Sequence, residues 1–252
     1  MTKLWADQPF KLIPTPTTTA TEGLSKEVTE VATEMCLAHN VMVRNLNAIH
    51  LQCEQVTKPE DVIDFILFCQ TSLEEIHTHH AAEEELFFPQ VAEYTGEKNI
   101  MEVNITQHHA FEKGLKEFEE YIYKATPKTY DGKEVKKMLD RFGEILVVHL
   151  SDEIQTLLAL DKYGGEKLGP IWAQFNKKIL AQIKDMHRVL PCALGAVDKT
   201  FEGGKHNFPP FPWFLPYLAK YYYAKKHKGS WRFSPCTMFG IPRPLEFAKD
   251  VE

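Results

Sequence analysis

The chain has 252 residues, of which 44% are hydrophobic and 25% are charged, as is ordinary for a folded globular protein. The formal net charge of −6 argues against nucleic-acid binding, which usually requires a basic surface. The cysteines are scattered and form no CxxC pair, so neither a disulfide framework nor a cysteine zinc site is indicated: Cys36, Cys53, Cys69, Cys192 and Cys236.

The N-terminal residues 1–24 are polar and rich in Pro and Thr, and we expect an extended arm here. Pro9, Pro14 and Pro16 and the lack of an apolar core argue against a signal peptide. No uninterrupted apolar run approaches the roughly 20 residues that cross a bilayer. We therefore expect a cytoplasmic protein that does not insert into membranes.

From Ser25 onward, apolar residues recur every three or four positions, which predicts a first helix with His39 on its apolar stripe. A second helix begins near Pro59, because proline fits the first turn, where its missing N–H costs nothing. This helix runs to about Tyr94, and the sequence at Gly96 ends it.

A third helix is predicted over about 98–125, and Asp131 can cap a fourth helix together with Glu134. Short loops join these four helices of roughly seven turns each. The simplest fold for such helices is an up-down-up-down four-helix bundle over residues 25–160. The predicted fold class is therefore all-α.

Two further regions follow the bundle. Within residues 161–190, a fifth helix is expected from about Pro170 to Leu190. Residues 191–252 combine many prolines with many large apolar groups, so we expect an irregular extension that wraps the bundle. Some of its residues are candidates for the wall of a substrate pocket: Trp213, Tyr217, Trp231 and Arg232. A membrane-surface role for its residues 209–224 is a weak alternative, because few basic residues occur near the aromatic cluster: Lys220, Lys225 and Lys226.

An internal repeat links the second and fourth helices. His149 lies seventy residues after His79, and Glu153 lies seventy residues after Glu83. A His and a Glu four residues apart project from one face of a helix, so each pair can hold one metal ion.

Every helix of the predicted bundle carries a histidine on the stripe that should face the bundle axis. Burying several unpaired ionisable groups would cost more free energy than a domain of this size can spare. A metal centre removes this cost, because it neutralises the carboxylates and takes the imidazole nitrogens as ligands. The predicted ligands are therefore aligned along the axis: His39, His79, Glu83, His108, His149 and Glu153.

Three assignments in this set have alternatives. The apolar stripe through Phe111 favours His108, whereas strict seventy-residue repetition favours His109. On the second helix His80 competes with His79, and the repeat favours His79. Glu112 follows His108 by four residues, so it is either a further ligand or one of many solvent-facing glutamates.

This order of histidines and His-x-x-x-Glu pairs resembles the hemerythrin-like (HHE cation-binding) family, and residues 83–89 look like its second-helix signature. The resemblance covers about residues 28–160, and the extension resembles those of fungal members. It implies two iron ions, with an oxo or hydroxo bridge between them. Glu83 and Glu153 would bridge the ions, and the four histidines would be terminal ligands.

The departure from the family pattern lies at Glu112, where oxygen-carrying members usually have a histidine. An added carboxylate favours the ferric state, which indicates O2 activation rather than reversible O2 carriage. We therefore expect an O2-dependent oxidoreductase acting on a small organic substrate. The alternatives are a protein that binds or senses O2, nitric oxide or iron without turnover, and a bundle with a purely structural metal.

Overall fold

The computed structural model describes residues 5–17 and 20–249, and its regular structure in those residues is helical. This confirms the all-α prediction and the bundle. The long helices are α1, α2, α4 and α5, and shorter helices extend or cover them: α1 Lys26–Gln52, α2 Pro59–Ala82, α3 Phe88–Thr95, α4 Glu102–Lys124, α5 Gly132–Leu158, α6 Leu168–Gln182, α7 Met186–Leu194 and α8 Leu215–Tyr221. No helix among the described residues is long and apolar enough to cross a membrane.

The ends of the bundle helices follow the capping chemistry of the sequence. The hydroxyl of Ser25 accepts from the backbone N–H of Val28 at the start of α1. Asp131 accepts from the N–H groups of Lys133 and Glu134 at the start of α5. Gly96 has a φ of 73° and ends α3, a conformation that favours glycine.

The described residues 5–17 of the N-terminal segment pack into the core, although the segment is polar in composition. Ala6, Phe10 and Ile13 are buried, and the ring of Phe10 lies so close to Gly143 of α5 that a Cβ there would be 2.3 Å from its Cζ. Buried polar side chains of α1 hold the backbone of this segment. Asn40 forms two hydrogen bonds with the N–H and C=O of Ile13, both 2.8 Å long.

The predicted fifth helix is wrong in its extent. The chain forms α6, breaks, and starts again as α7 at Met186. The break has a local cause, because the side chain of Asp185 accepts a 2.8 Å hydrogen bond from the N–H of His187 and caps the new helix. Pro191, which was assigned to the irregular extension, lies inside α7.

The extension packs against the bundle over part of its length. Phe233 is fully buried and its ring lies 4.9 Å from that of Phe65 and 4.7 Å from that of Phe247. Arg232 forms ion pairs with Asp61 and Glu246. Buried apolar packing of this kind makes residues 230–248 a clasp on the bundle.

The same contacts argue against a substrate pocket walled by the four candidate residues of the extension. Arg232 binds Asp61 at the start of α2, roughly 27 Å along the helix from His79 at a rise of about 1.5 Å per residue. Trp231 is buried in the clasp, whereas Trp213 and Tyr217 are exposed. These four residues therefore do not line a common pocket.

Candidate metal centre

Four helices bring histidines and glutamates to one buried point inside the bundle. These side chains are between 0% and 8% exposed: His39 from α1, His79 and His80 from α2, Glu83 just after α2, His108 from α4, and His149 and Glu153 from α5. The apolar stripes of the helices place them there, because each shares a face with core residues.

A π-helical turn, Glu83–Phe87, follows α2 at this point. The backbone N–H of Phe88 donates to the carbonyl of Glu83, five residues earlier, so the helix widens over the turn that directly follows the two histidines. π-turns inside helices are frequently found at functional sites. Phe87, the last residue of the turn, and Phe88, the first residue of α3, are both buried, although they are adjacent.

The ligand-type atoms form two groups that share one carboxylate. Within each group the atoms lie within 4.8 Å of one another: His39, His79 and Glu83 in the first, and His80, Glu83, His108 and His149 in the second. Two ligands that each lie about 2.1 Å from one ion are roughly 3 Å apart. The Nε2 atoms of His39 and His79 are 3.1 Å apart, and those of His108 and His149 are 3.0 Å apart. Both pairs therefore have the spacing of ligands on a common ion.

The two carboxylates lie between the groups. Oε1 of Glu83 is 2.7 Å from Nε2 of His79, and its Oε2 is 3.6 Å from Nε2 of His108. Oε2 of Glu153 is 3.5 Å from Nε2 of His39 and 4.0 Å from Nε2 of His149. Each carboxylate thus faces one histidine of each group, so either carboxylate could be shared if each group held a metal ion.

Outer hydrogen bonds orient three of the imidazoles through Nδ1. His39 contacts the carbonyl of Leu150 at 2.8 Å, His108 contacts Glu84 Oε1 at 2.6 Å, and His149 contacts Gln107 Oε1 at 3.3 Å. Each acceptor holds the ring proton on Nδ1 and leaves the Nε2 lone pair directed at the centre. This arrangement is typical of histidines that bind metals.

Comparison with known proteins agrees with this geometry. Residues 32–160 match the Hemerythrin HHE cation binding domain. The chain belongs to this family. It is also 39% identical, over 251 residues, to "Dimeric xanthone biosynthesis cluster protein R11" of Cryptosporiopsis sp. (strain 8999), which covers 99% of this chain and 95% of that protein. No solved structure gave a significant match.

Burial shifts the pKa values of the carboxyl and imidazole groups in this HHE centre towards their uncharged forms. Burial raises the pKa of Glu83 and Glu153 well above the usual range of a carboxyl group. It lowers the pKa of His79 to about 3 and that of His149 to about 2, the latter with help from neighbouring imidazoles. Cations bound here would balance the negative charge of the ionised carboxylates and would accept the lone pairs of the neutral imidazoles.

Unpartnered polar atoms support the same conclusion. Among the described residues, both ring nitrogens of His80 and all four carboxylate oxygens of Glu83 and Glu153 form no hydrogen bond of normal geometry. Native proteins rarely leave buried polar groups in this state. The donor set fits iron, manganese or zinc, which all accept imidazole and carboxylate ligands.

One predicted ligand is corrected. Glu112 is exposed and lies outside both ligand groups, so it does not face the centre. One turn of α4 explains this, because His108 and Phe111 are buried while His109 and Glu112 lie on the solvent side. The structure brings the other six predicted residues together.

His80 is the ligand-type residue that the sequence reasoning left out. The repeat with His149 and Glu153 favours His79 over it, and on an ideal helix adjacent residues point about 100° apart. In the structure His79 belongs to the first group and His80 to the second. The buried faces on both sides of this helix were a possible signal, since Ile76 and Ala82 flank the pair and are also buried.

Proposed function

We propose that this protein is a non-haem di-iron oxidoreductase that uses O2. The observation that carries the proposal is the pair of buried His/Glu groups sharing Glu83, with Glu153 facing both. Two groups joined by two carboxylates suit two ions better than one. A pair of iron ions held in this way supplies the binding and reduction of O2.

The surrounding residues restrict what reaches the centre. The ring of Phe175 on α6 lies 5.5 Å from that of His79, Phe111 lies 5.1 Å from His80, and Phe88 lies 5.6 Å from His108. These apolar rings exclude bulk water and strengthen electrostatic interactions at the centre. Glu84 is half-exposed and accepts from Nδ1 of His108, so it links this ligand to the solvent.

The relative supports a role in biosynthesis. Its name assigns it to a biosynthesis cluster for a dimeric xanthone, and it aligns with this chain over nearly the full length of both. We propose that this chain also serves a biosynthetic cluster, where it oxidises a small organic substrate with O2.

A second function is favoured by a specific observation. With Glu112 outside the site, the donor set has five histidines and two carboxylates. The expectation of an added carboxylate, which argued for irreversible O2 activation, is therefore lost. A nitrogen-rich site enclosed by aromatic rings also suits a protein that binds O2 or nitric oxide without turnover.

One experiment separates the two functions. Iron-loaded protein is reduced under argon, mixed with O2 in a stopped-flow spectrometer, and then returned to argon. The oxidoreductase consumes O2 and ends oxidised, whereas the binding protein releases O2 intact and returns to its reduced spectrum. Glu83→Ala is the control, since it removes the shared carboxylate and should abolish both responses. Metal-loaded protein that does not react with O2 would contradict both functions and indicate a structural metal.

A further inference from the structure

The part of the extension that precedes the clasp exposes an unusual number of large apolar side chains. Within residues 211–222, seven are exposed, and Trp213 reaches 81%: Phe211, Trp213, Phe214, Tyr217, Leu218, Tyr221 and Tyr222. The ring of Trp213 is central among them, with its centroid 6.1 Å from that of Phe214 and 6.2 Å from that of Tyr217. Contiguous exposed apolar patches of this kind usually mark a site of interaction. We call these residues, with Lys220, Lys225 and Lys228, the aromatic-lysine face.

The charge on this face differs from that of the whole protein. The chain carries −6 overall, yet it has no Asp or Glu between Glu202 and Glu246. Lys220, Lys225 and Lys228 are exposed and have no ion pair among the described residues. The ammonium of Lys220 lies 5.1 Å from the ring centre of Tyr221, and Lys225 and Lys228 follow the aromatic residues within seven positions of Tyr221. The face therefore complements an anionic surface.

The face is held in place by the rest of the protein. Ala219 of α8 is fully buried, His187 of α7 contacts the carbonyl of Tyr223 at 3.0 Å, and Lys226 pairs with Asp185 at 3.0 Å. Prolines also fix the backbone before and within α8: Pro209, Pro210, Pro212 and Pro216. Because the aromatic groups are already positioned, little backbone entropy is lost when they bind.

A lipid surface fits these groups better than a protein surface does. Trp and Tyr are enriched where membranes meet water, and lysine stems cover apolar surface while their ammonium groups remain in water. Protein interfaces enrich the same aromatic residues but are depleted of lysine. A second copy of this chain would bring its own lysines against these lysines.

We propose that the aromatic-lysine face docks this protein onto the surface of a bilayer that contains anionic phospholipid. Trp213, Phe214 and Tyr217 enter the headgroup region, and Lys225 and Lys228 pair with lipid phosphates. Such docking does not depend on the function of the metal centre.

Vesicle flotation with the purified full-length protein tests this. Vesicles of phosphatidylcholine alone are compared with vesicles containing about a third phosphatidylserine, at low and at high salt. Binding is expected with the anionic vesicles and should weaken with salt. Each basic residue near such a surface contributes about 1 kcal/mol, so Lys225→Gln/Lys228→Gln should lower the partition coefficient roughly 10- to 30-fold.

Trp213→Ser tests the apolar part and should lower binding to a similar extent. The matched controls are Lys113→Gln/Lys116→Gln for charge and Val103→Ser for exposed apolar area, because all three residues are exposed on α4. Equal binding of the face variants and the controls would overturn the proposal. Absence of vesicle binding, together with a concentration-dependent dimer that Trp213→Ser abolishes, would replace the bilayer with a second copy of the chain.

Discussion

His39 and Asn40 are neighbours on α1, and both side chains are fully buried, but they are satisfied in opposite ways. Asn40 uses its oxygen and its amide nitrogen on the backbone of Ile13. His39 uses Nδ1 on the carbonyl of Leu150, while its Nε2 faces His79 and Glu153. Both polar groups of the Asn40 side chain have backbone partners. The Nε2 atom of His39 instead faces other ligand-type side chains at the centre.

The difference extends to the regions around them. Asn47, two turns after Asn40, bonds the N–H and C=O of Phe10 and the C=O of Ala6, so the N-terminal segment is held by matched hydrogen bonds. The bundle centre leaves six buried nitrogen and oxygen atoms of His80, Glu83 and Glu153 without a hydrogen bond of normal geometry, among the residues described. Buried polar groups therefore have two meanings here. The matched groups of Asn40 and Asn47 fix structure, and the concentration of unmatched atoms on three neighbouring side chains at the centre marks the place of a ligand.

The largest effect is expected from the shared carboxylate. Glu83→Ala or Glu153→Ala should remove both ions, lowering metal content on the order of tenfold or more. The stability linked to metal binding should then disappear, about 4 kcal/mol for a ligand at a thousand times its Kd. Metal analysis and thermal melts measure both. Glu85→Ala is the control, since Glu85 is exposed and pairs with Lys178. Similar losses at Glu83 and Glu85 would mean that the centre lies elsewhere.

A partial effect is expected at His80. His80→Ala removes one ligand of the second group and leaves the first group complete, so metal content should fall towards one ion per chain. His109→Ala should keep full occupancy, because His109 is exposed on α4. Elemental analysis of both variants checks this. Loss at His109 and not at His80 would contradict the assignment of the second group.

On the structural side, Asn47→Ala should destabilise the protein without removing metal. It leaves three backbone groups of Ala6 and Phe10 without partners, which costs roughly 3 kcal/mol in the free energy of unfolding. Urea denaturation measures the change, and metal content should stay at the wild-type value. Asn99→Ala, at an exposed position, is the control. Metal loss with Asn47→Ala would show that the two regions are coupled.

The anchoring of the N-terminal segment should also depend on pH, because Thr15 donates hydrogen bonds to the carboxylate of Glu202. Burial opposes the ionisation of Glu202, but hydrogen bonds from Lys205, Thr15 and His206 outweigh it and lower the pKa from 4.5 to about 2. A carboxyl group with a lowered pKa stabilises the fold above its unfolded-state pKa. That stability is lost as the pH falls from 4.5 to about 2, and it amounts to roughly 2 kcal/mol after allowance for partial exposure.

Urea denaturation at pH 7, 4.5 and 3 tests this window in the wild type and in Glu202→Gln. The variant should be less stable at pH 7 and should lose less stability on acidification. Glu85→Gln should follow the wild type. If the wild type and the Glu202→Gln variant had the same pH dependence of stability, Glu202 would not contribute to the loss of stability in acid.

The smallest effect is expected at Glu112. Because this side chain is exposed, Glu112→Ala should change stability by less than about 0.5 kcal/mol and leave metal content and spectrum unchanged. The measurement is a melt together with a metal assay. A changed iron spectrum would return Glu112 to the ligand set.

The bundle could be predicted from the sequence because periodicity and capping are local signals. The stripe through Phe111 and Leu115 placed His108 on the inner face, and Asp131 marked the start of α5. The break at Asp185 also had a local signal, a capping side chain, but the apolar pattern on both sides masked it.

Other features depend on contacts that no local pattern encodes. The N-terminal segment is polar in composition, and its burial follows from Asn40 and Asn47, which lie some thirty residues away along the chain. The role of His80 depends on which neighbours surround α2 and on the π-turn at Glu83.

For Glu112, the phase of α4 decides against the ligand role. At about 100° per residue, Glu112 lies about 40° from His108 on the side away from the buried Phe111 and Leu115. Glu153 lies about 40° from His149 in the same way, but towards the buried residues of α5.

Metal stoichiometry tests the central claim most directly. The protein is expressed with ample iron, purified without chelators, and analysed for iron, zinc and manganese per chain, and its optical spectrum is recorded in air. The two groups that share Glu83 predict two iron ions per chain, falling to near zero in Glu83→Ala. One zinc ion per chain, or no metal after iron-replete expression, would contradict a di-iron centre in this bundle.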